Sequence, residues 1–331
     1  MNAASPTPPF IEVRGLVAEI HTRQGVVRAI DGIDFEIAPG ETLGLVGESG
    51  SGKTMTALAL ERMLPPGGKI VAGEIRLEGT DLLALDENAM RRVRGSRIAM
   101  ILQDPMSSLN PVFTIGDQIA APMHAHRDLG EADVLEEVQR LLERVRIPSP
   151  ESRMRDYPHQ LSGGMRQRVV GAIALSCQPG LLIADEPTTA LDTTIQAQYL
   201  KLLEDLQREV GFAVLLITHD LGVVAKLCDR VAVMYAGRIV ETAPVGEIFD
   251  RPAHPYTRAL LDSLPRMDVR VERLPSIEGQ PPDLRLPMTG CRFAPRCAHA
   301  VEQCRNEYPP QTTLSPSHRV SCWLATEHTK P

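Results

Sequence analysis

The octapeptide Gly47-Glu48-Ser49-Gly50-Ser51-Gly52-Lys53-Thr54 constrains this chain more than any other feature. It fits G-x-x-x-x-G-K-S/T, follows the apolar run Leu43 to Val46 and precedes a helix-forming stretch, Met55 to Met63. That is the strand–loop–helix context the motif requires, so the fold is α/β. Glycines let successive backbone N–H groups turn inward around phosphate oxygens, and a helix N-terminus adds positive partial charge. In such a loop Lys53 reaches the β- and γ-phosphates and the Thr54 hydroxyl coordinates Mg²⁺.

A phosphate loop alone specifies only a nucleoside triphosphatase. The apolar run Leu181-Leu182-Ile183-Ala184 ends in Asp185-Glu186. A strand ending in two carboxylates places Asp185 by the Mg²⁺ shell and Glu186 where water attacks, the parts that phosphoryl transfer needs. In Leu161-Ser162-Gly163-Gly164-Met165-Arg166-Gln167-Arg168, Ser162, Gly163 and Gly164 open a helix and offer a second set of backbone donors.

Around these motifs the chain reads as an α/β core with insertions. Residues 1–9 read as a disordered leader. Strands are expected over Ile11 to Val17, Val26 to Ile37, Thr42 to Val46, Gly73 to Leu77, Ile98 to Leu102, Gly180 to Ala184 and Ala213 to Thr218. Arg91, Arg92, Arg94 and Arg97 on an intervening polar helix read as a solvated face, with contact to a partner's acidic loop as the sharper alternative. Residues 115–150 carry apolar positions at Val134, Val138, Leu141, Leu142 and Val145, the period of an inserted helical lobe. Helices are expected from Thr194 to Glu209 and from Leu221 to Leu227. Val231 to Met234 and Arg238 to Thr242 form a hairpin turning at Ala236-Gly237. Past Asp250 prolines and cysteines accumulate, as in a small loop-rich appendage with little core of its own.

With 331 residues and 43% hydrophobic content, the chain can bury a sizeable core without staples. The net charge of -7 argues against a nucleic-acid partner. No run approaches the ~20 apolar residues of a membrane span, and the Pro-rich start does not read as a signal peptide. Cys177 and Cys228 stand alone in apolar segments and read as core residues. Cys291, Cys297, Cys304 and Cys322 crowd the last part of the chain, which in a reducing cytosol suggests a metal site before disulfides.

Taken together, the segment Leu161 to Arg168 and its neighbours resemble the ATP-binding cassette (ABC) family over about residues 10–250, with a helical lobe at about 105–165 and an antiparallel β subdomain. The resemblance implies ATP with Mg²⁺ held by Thr54, Gln103 and Asp185. It makes Gln103 the residue that senses metal and water, Glu186 the catalytic carboxylate and His219 the γ-phosphate contact. Ala190-Leu191-Asp192 matches the family's D-loop. Ser162, Gly163 and Gly164 would cover the nucleotide of the opposite subunit. The aromatic ring usual under adenine is missing between Glu19 and Val27, which leaves Ile20, His21 or Val27 to carry the base.

Gln103 to Pro111, Tyr157-Pro158-His159-Gln160, His254-Pro255-Tyr256-Thr257 and the tail Cys291-Arg292-Phe293-Ala294-Pro295-Arg296-Cys297 narrow the resemblance to the oligopeptide/dipeptide importer ATPases, closest to the D-type subunit, with residues 251–331 as its C-terminal region. The implied function is the ATP-hydrolysing motor of a binding-protein-dependent importer at the cytoplasmic face of the membrane. Its implied partners are two membrane-spanning permease subunits, a homologous F-type ATPase and an extracytoplasmic peptide-binding protein. Nickel and glutathione importers use similar ATPases. Soluble cassettes of translation or DNA repair, and exporter cassettes, form rival classes that this single cassette and its tail disfavour. The spacing C-x₅-C-x₆-C-x₁₇-C lacks zinc knuckles. It suits an iron–sulfur cluster, which the resemblance implies is 4Fe–4S, with zinc or free thiols as the alternatives. His299 and His318 read as surface residues.

Overall fold

A computed structural model describes residues 8–104, 108–189, 191–264 and 277–327. Most of the leader expected over residues 1–9, together with Pro105 to Ser107 and Ala190, lies outside these residues.

The opening hairpin is longer than its apolar residues suggest. β1 (Ile11–Thr22) runs on through Glu19, and β2 (Gly25–Ile37) answers it with Arg28, whose guanidinium donates to Glu19 at 2.9 and 3.0 Å. Cross-strand ionic pairing thus carries the ladder into its polar tip. β3 (Thr42–Val46) is buried at every residue, as a parallel central strand is. It feeds α1 (Lys53–Leu60), and β4 (Gly68–Leu77) lies beside β1. After β5 (Thr80–Asp81), α2 (Glu87–Val93) is capped by Asp86, which accepts from the Ala89 amide at 2.7 Å. Arg91 and Arg92 are exposed, while Arg94 pairs with Glu87 and Arg97 with Glu78.

β6 (Ile98–Ile101) leads into α3 (Ile115–His126), α4 (Glu131–Arg144), α5 (Pro150–Arg153) and α6 (Gly163–Leu175). β7 (Leu181–Asp185), α7 (Thr193–Val210), β8 (Ala213–Thr218) and α8 (Leu221–Leu227) follow. β9 (Arg230–Tyr235) and β10 (Arg238–Pro244) form the expected hairpin. Its two turn residues, Ala236 and Gly237, have φ of 48° and 86°, the left-handed pair that a two-residue turn requires. Beyond come α9 (Val245–Asp250), α10 (Pro255–Asp262), α11 (Glu302–Asn306), β11 (Thr312–Ser315), β12 (His318–Val320) and α12 (Trp323–Glu327).

The chain divides into two compact units. The first takes the described residues up to Ile11, Ile37–Thr42 and Leu77–Leu216. Here β6 and β7 pair in parallel, Ile98 opposite Leu181 through Ile101 opposite Ala184. The helical lobe packs its apolar stripe inward as the periodicity requires: Val134, Val138, Leu141, Leu142 and Val145 are each at most 4% exposed.

The second unit takes Glu12–Glu36, Leu43–Arg76 and the residues from Ile217 onward. β3 pairs in parallel with β9, and β10 pairs antiparallel with both β9 and β12, which is followed by β11. The Cys/Pro-rich tail is therefore a sheet extension rather than a body folded apart. Its own core is thin, so it gains burial by adding strands to a large sheet and inserting Phe293 (3% exposed) and Val320 (1%). His318 is not at the surface as expected. It is buried between Glu241 and Glu247, at 2.8 and 3.1 Å. Cys228 is buried as expected, whereas Cys177 is only partly so.

Candidate functional site

In the second unit β3 delivers the chain into the phosphate loop. Gly47 (φ 153°) is required there, because a Cβ would sit 2.1 Å from the Met234 carbonyl oxygen. Gly52 (φ 110°) passes close to the Ala29 carbonyl, with 2.5 Å to a hypothetical Cβ. Lys53 is 6% exposed, and its ammonium donates to the carbonyl oxygens of Gly47 (2.8 Å) and Glu48 (3.0 Å). Phosphate oxygens are stronger acceptors for an ammonium than carbonyls, so an arriving phosphate can recruit it. Ser49, Gly50 and Thr54 are exposed at the loop's open side. His219, just past β8, is exposed, and Asp220 caps α8 by accepting from the Gly222 amide at 2.8 Å. The proposed adenine supports differ in exposure: Ile20 and Val27 are half-buried, His21 exposed.

In the first unit β7 ends at Asp185, which is 2% exposed. Glu186 then takes φ 47°, a left-handed conformation rare for a residue with a side chain. Proline at position 187 disfavours the right-handed alternative. The Glu186 carboxylate accepts from the Gln103 amide at 3.0 Å and from the Thr189 hydroxyl at 3.0 Å. Gln103 was expected by the metal and water; the structure ties it directly to the carboxylate that would act on that water. Its amide nitrogen is the donor, so its carbonyl oxygen stays available as a ligand.

The signature segment starts α6. Ser162 caps it, accepting from the Met165 amide at 3.4 Å. A Cβ on Gly164 would lie 2.7 Å from Ile195, whereas one on Gly163 would meet nothing within 4 Å. Ser162 and Gly163 therefore present an exposed helix start, a ready anion-binding edge. Asp192 caps α7 through the Thr194 and Ile195 amides at 3.1 and 3.0 Å.

Residues 30–189 match the ABC transporter family, and residues 240–304 match the oligopeptide/dipeptide transporter C-terminal region. A probable peptide ABC transporter ATP-binding protein of Sinorhizobium fredii, y4tR, is 53% identical, the alignment covering 96% of each chain. The dipeptide transport ATP-binding protein DppD of Bacillus subtilis is 48% identical over 95% of this chain and 94% of its own. The chain belongs to the ABC transporter family. The fold agrees: a dimeric ATP-binding cassette in a post-hydrolysis state bound to ADP and Pi superposes with a TM-score of 0.64 and 23% identity, over 71% of this chain and 98% of that one. The protein is an ABC ATPase. No helix among the described residues is long and apolar enough to cross a membrane.

The ABC cassette carries two further features in its second unit. Cys291, Cys297, Cys304 and Cys322 line one cavity of about 20 Å³, with His254 and His299 on the same wall. Burial pushes the Cys291 thiol up to about 11, and Cys297 and Cys322 also upward. The thiols share a wall, but among the described residues no three or more His, Cys, Asp or Glu side chains are gathered as a metal site.

Sequence reasoning also passed over the contacts the tail makes with the nucleotide half. Arg296 forks onto Glu48, Tyr256 takes the Glu48 amide at 2.8 Å, Arg292 pairs with Asp31, and Arg285 donates to Gln24 at 2.8 Å. The only signal was an arginine beside each of the first two tail cysteines, Arg292 after Cys291 and Arg296 before Cys297.

Proposed function

We propose that this ABC ATPase is the motor of a binding-protein-dependent importer for dipeptides or oligopeptides. The observation that carries the chemical part is the Glu186 carboxylate, held in a left-handed backbone at a strand end with the Gln103 amide on one oxygen. Residues 240–304 and the peptide-transport relatives support the cargo. In this reading Gly47 to Thr54 enclose the phosphates of ATP, and Glu186 orients and deprotonates the attacking water. His219 contacts the γ-phosphate, and Ser162, Gly163 and Gly164 close over the nucleotide of a second cassette. Thr54, Asp185 and the Gln103 carbonyl offer the oxygen donors Mg²⁺ prefers, and the ion would neutralise charge on the β- and γ-phosphates.

The partners follow from the motor role: two permease subunits, an extracytoplasmic peptide-binding protein and a homologous F-type ATPase as the second cassette. The working place is the cytoplasmic face of the membrane. The finer reading of the tail is an iron–sulfur centre, 4Fe–4S in type. The support is a four-thiolate donor set around one cavity; the cavity as closed has room for a single water, so a cluster requires the thiols to ionise and the walls to part. Protein prepared without oxygen should carry iron and a brown absorbance that Cys291→Ser removes. A colourless, iron-free protein would discard the cluster.

Glu186→Gln tests the motor. It should bind ATP but hydrolyse it about 100-fold more slowly, the size of a lost general base. Unchanged turnover would move the catalytic role elsewhere. In cells, the same substitution should stop uptake of a labelled dipeptide; loss of nickel uptake with dipeptide uptake intact would reassign the cargo.

A further inference from the structure

Glu48, second residue of the phosphate loop, is gripped twice by the C-terminal tail. The Arg296 side chain is 3% exposed, and its two terminal nitrogens donate to the two Glu48 carboxylate oxygens at 2.6 and 3.0 Å. Its remaining donors are used as well: Nε on the Glu278 carbonyl (2.8 Å), Nη2 on the Ile277 carbonyl (3.1 Å) and Nη1 on the Tyr235 hydroxyl (3.2 Å). The Glu48 amide donates to the hydroxyl of fully buried Tyr256 at 2.8 Å. Tyr256 is itself wedged against Tyr235 and Phe293, ring centroids 4.5 and 5.3 Å away.

We propose that Arg296 and Tyr256 are positioning residues for ATP binding: the tail holds the phosphate loop open and cancels the charge of Glu48. The inference rests on the reading of Gly47 to Thr54 as the triphosphate site. A carboxylate this close to a triphosphate site opposes its ligand electrostatically. The backbone carbonyl of the same residue holds the Lys53 ammonium at 3.0 Å, so the charge state of Glu48 bears on the cation meant for phosphate. Left unneutralised, the Glu48 carboxylate competes with phosphate for that cation. The bidentate fork removes the competition, because both carboxylate oxygens are occupied by a planar guanidinium. The tyrosine hydroxyl meanwhile engages the Glu48 amide, leaving phosphate recognition to the amides further along the loop.

The test is equilibrium binding of ATP to the purified full-length chain, with the KM for hydrolysis alongside. Arg296→Ala should weaken ATP about tenfold, the worth of a charge-assisted bidentate pair, by raising KM more than it lowers kcat. Glu48→Gln should tighten ATP about threefold, since the guanidinium then acts unopposed. The double substitution should return to within about threefold of the parent. A purely structural arginine gives the opposite result, a double variant as weak as Arg296→Ala, and that would overturn the proposal. Unchanged affinity in Arg296→Ala would overturn it too. If Arg296→Ala does not fold, Arg296→Lys keeps the charge without the fork and should weaken ATP about threefold; parental affinity there counts against the proposal. Lys53→Ala is the separate control. If it binds ATP like the parent, the phosphate-loop reading itself has failed, whatever Arg296 does.

Discussion

The described ion pairs of the unit that carries Glu186 lie at or near the surface, whereas the unit that carries the phosphate loop buries several. Arg144 reaches Glu209 with side chains 36% and 56% exposed, and Arg146 reaches Asp205 at 55% and 35%. Against these stand Arg292 with Asp31 (6% and 10%), Arg296 with Glu48 (3% and 28%) and His318 with Glu241 (5% and 0%). Exposed pairs contribute about 0–1 kcal/mol each, while removing one partner of a buried pair costs about 3–5 kcal/mol. The phosphate loop is thus tied to the tail by charge, through Arg296 and Glu48. The Glu186 end of β7 instead takes hydrogen bonds from uncharged, exposed donors, the Gln103 amide and the Thr189 hydroxyl, an arrangement more open to adjustment.

The difference predicts where substitutions do most harm. Gly47→Ala attacks the fixed region directly, forcing a methyl onto the Met234 carbonyl in a backbone state hostile to side chains. It should cost more than about 3 kcal/mol, read as loss of ATP binding by over 100-fold or as a collapse of the melting temperature. Near-parental binding would show that the loop is far more pliant than its contacts imply. Gln103→Ala attacks the adjustable region. Hydrolysis should fall about tenfold through kcat, with a smaller change in ATP affinity. A dominant loss of affinity would mean Gln103 serves binding first, and the contrast between the units would weaken.

Much of this was legible in sequence because phosphate chemistry leaves local marks. The glycines at 47 and 52, the lysine after them, the carboxylate pair ending β7 and the Ser-Gly-Gly start of α6 are short-range patterns, each tied to one turn or one cap. The lobe was equally legible, since Val134, Val138, Leu141, Leu142 and Val145 repeat with the helix period and are buried accordingly. What stayed hidden is long-range pairing. Arg296 meets Glu48 across 248 residues, and His318 meets Glu241 across 77. Nothing local distinguishes either from a surface charge, so the tail looked like an appendage when it is a clamp. The cysteines show the reverse: their crowding in sequence does bring them to one cavity.

The smallest predicted effect depends on pH. Glu241 is wholly buried; burial alone would raise its pKa, but hydrogen bonds from His318 and from the Ala253 and His254 amides bring it below its ordinary 4.5. His318 is shifted the other way, above 6.5, chiefly by its hydrogen bond to Glu241, while fully buried His254 falls to about 4 and stays neutral. A raised histidine stabilises the folded state fully below its unfolded value of 6.5, and that contribution fades as pH rises through the folded value. A lowered carboxylate stabilises fully above 4.5, and its share fades as pH falls through the folded value. The ionic clamp therefore works best between these two ordinary values, at about pH 4.5–6.5. His318→Gln keeps one hydrogen bond and loses the charge. Its melting temperature should sit several degrees below the parent at pH 6, about 1–2 kcal/mol, and approach the parent at alkaline pH. A gap that is constant across that range would show that His318 acts through packing alone, leaving Arg296 as the charge that holds the tail to the loop.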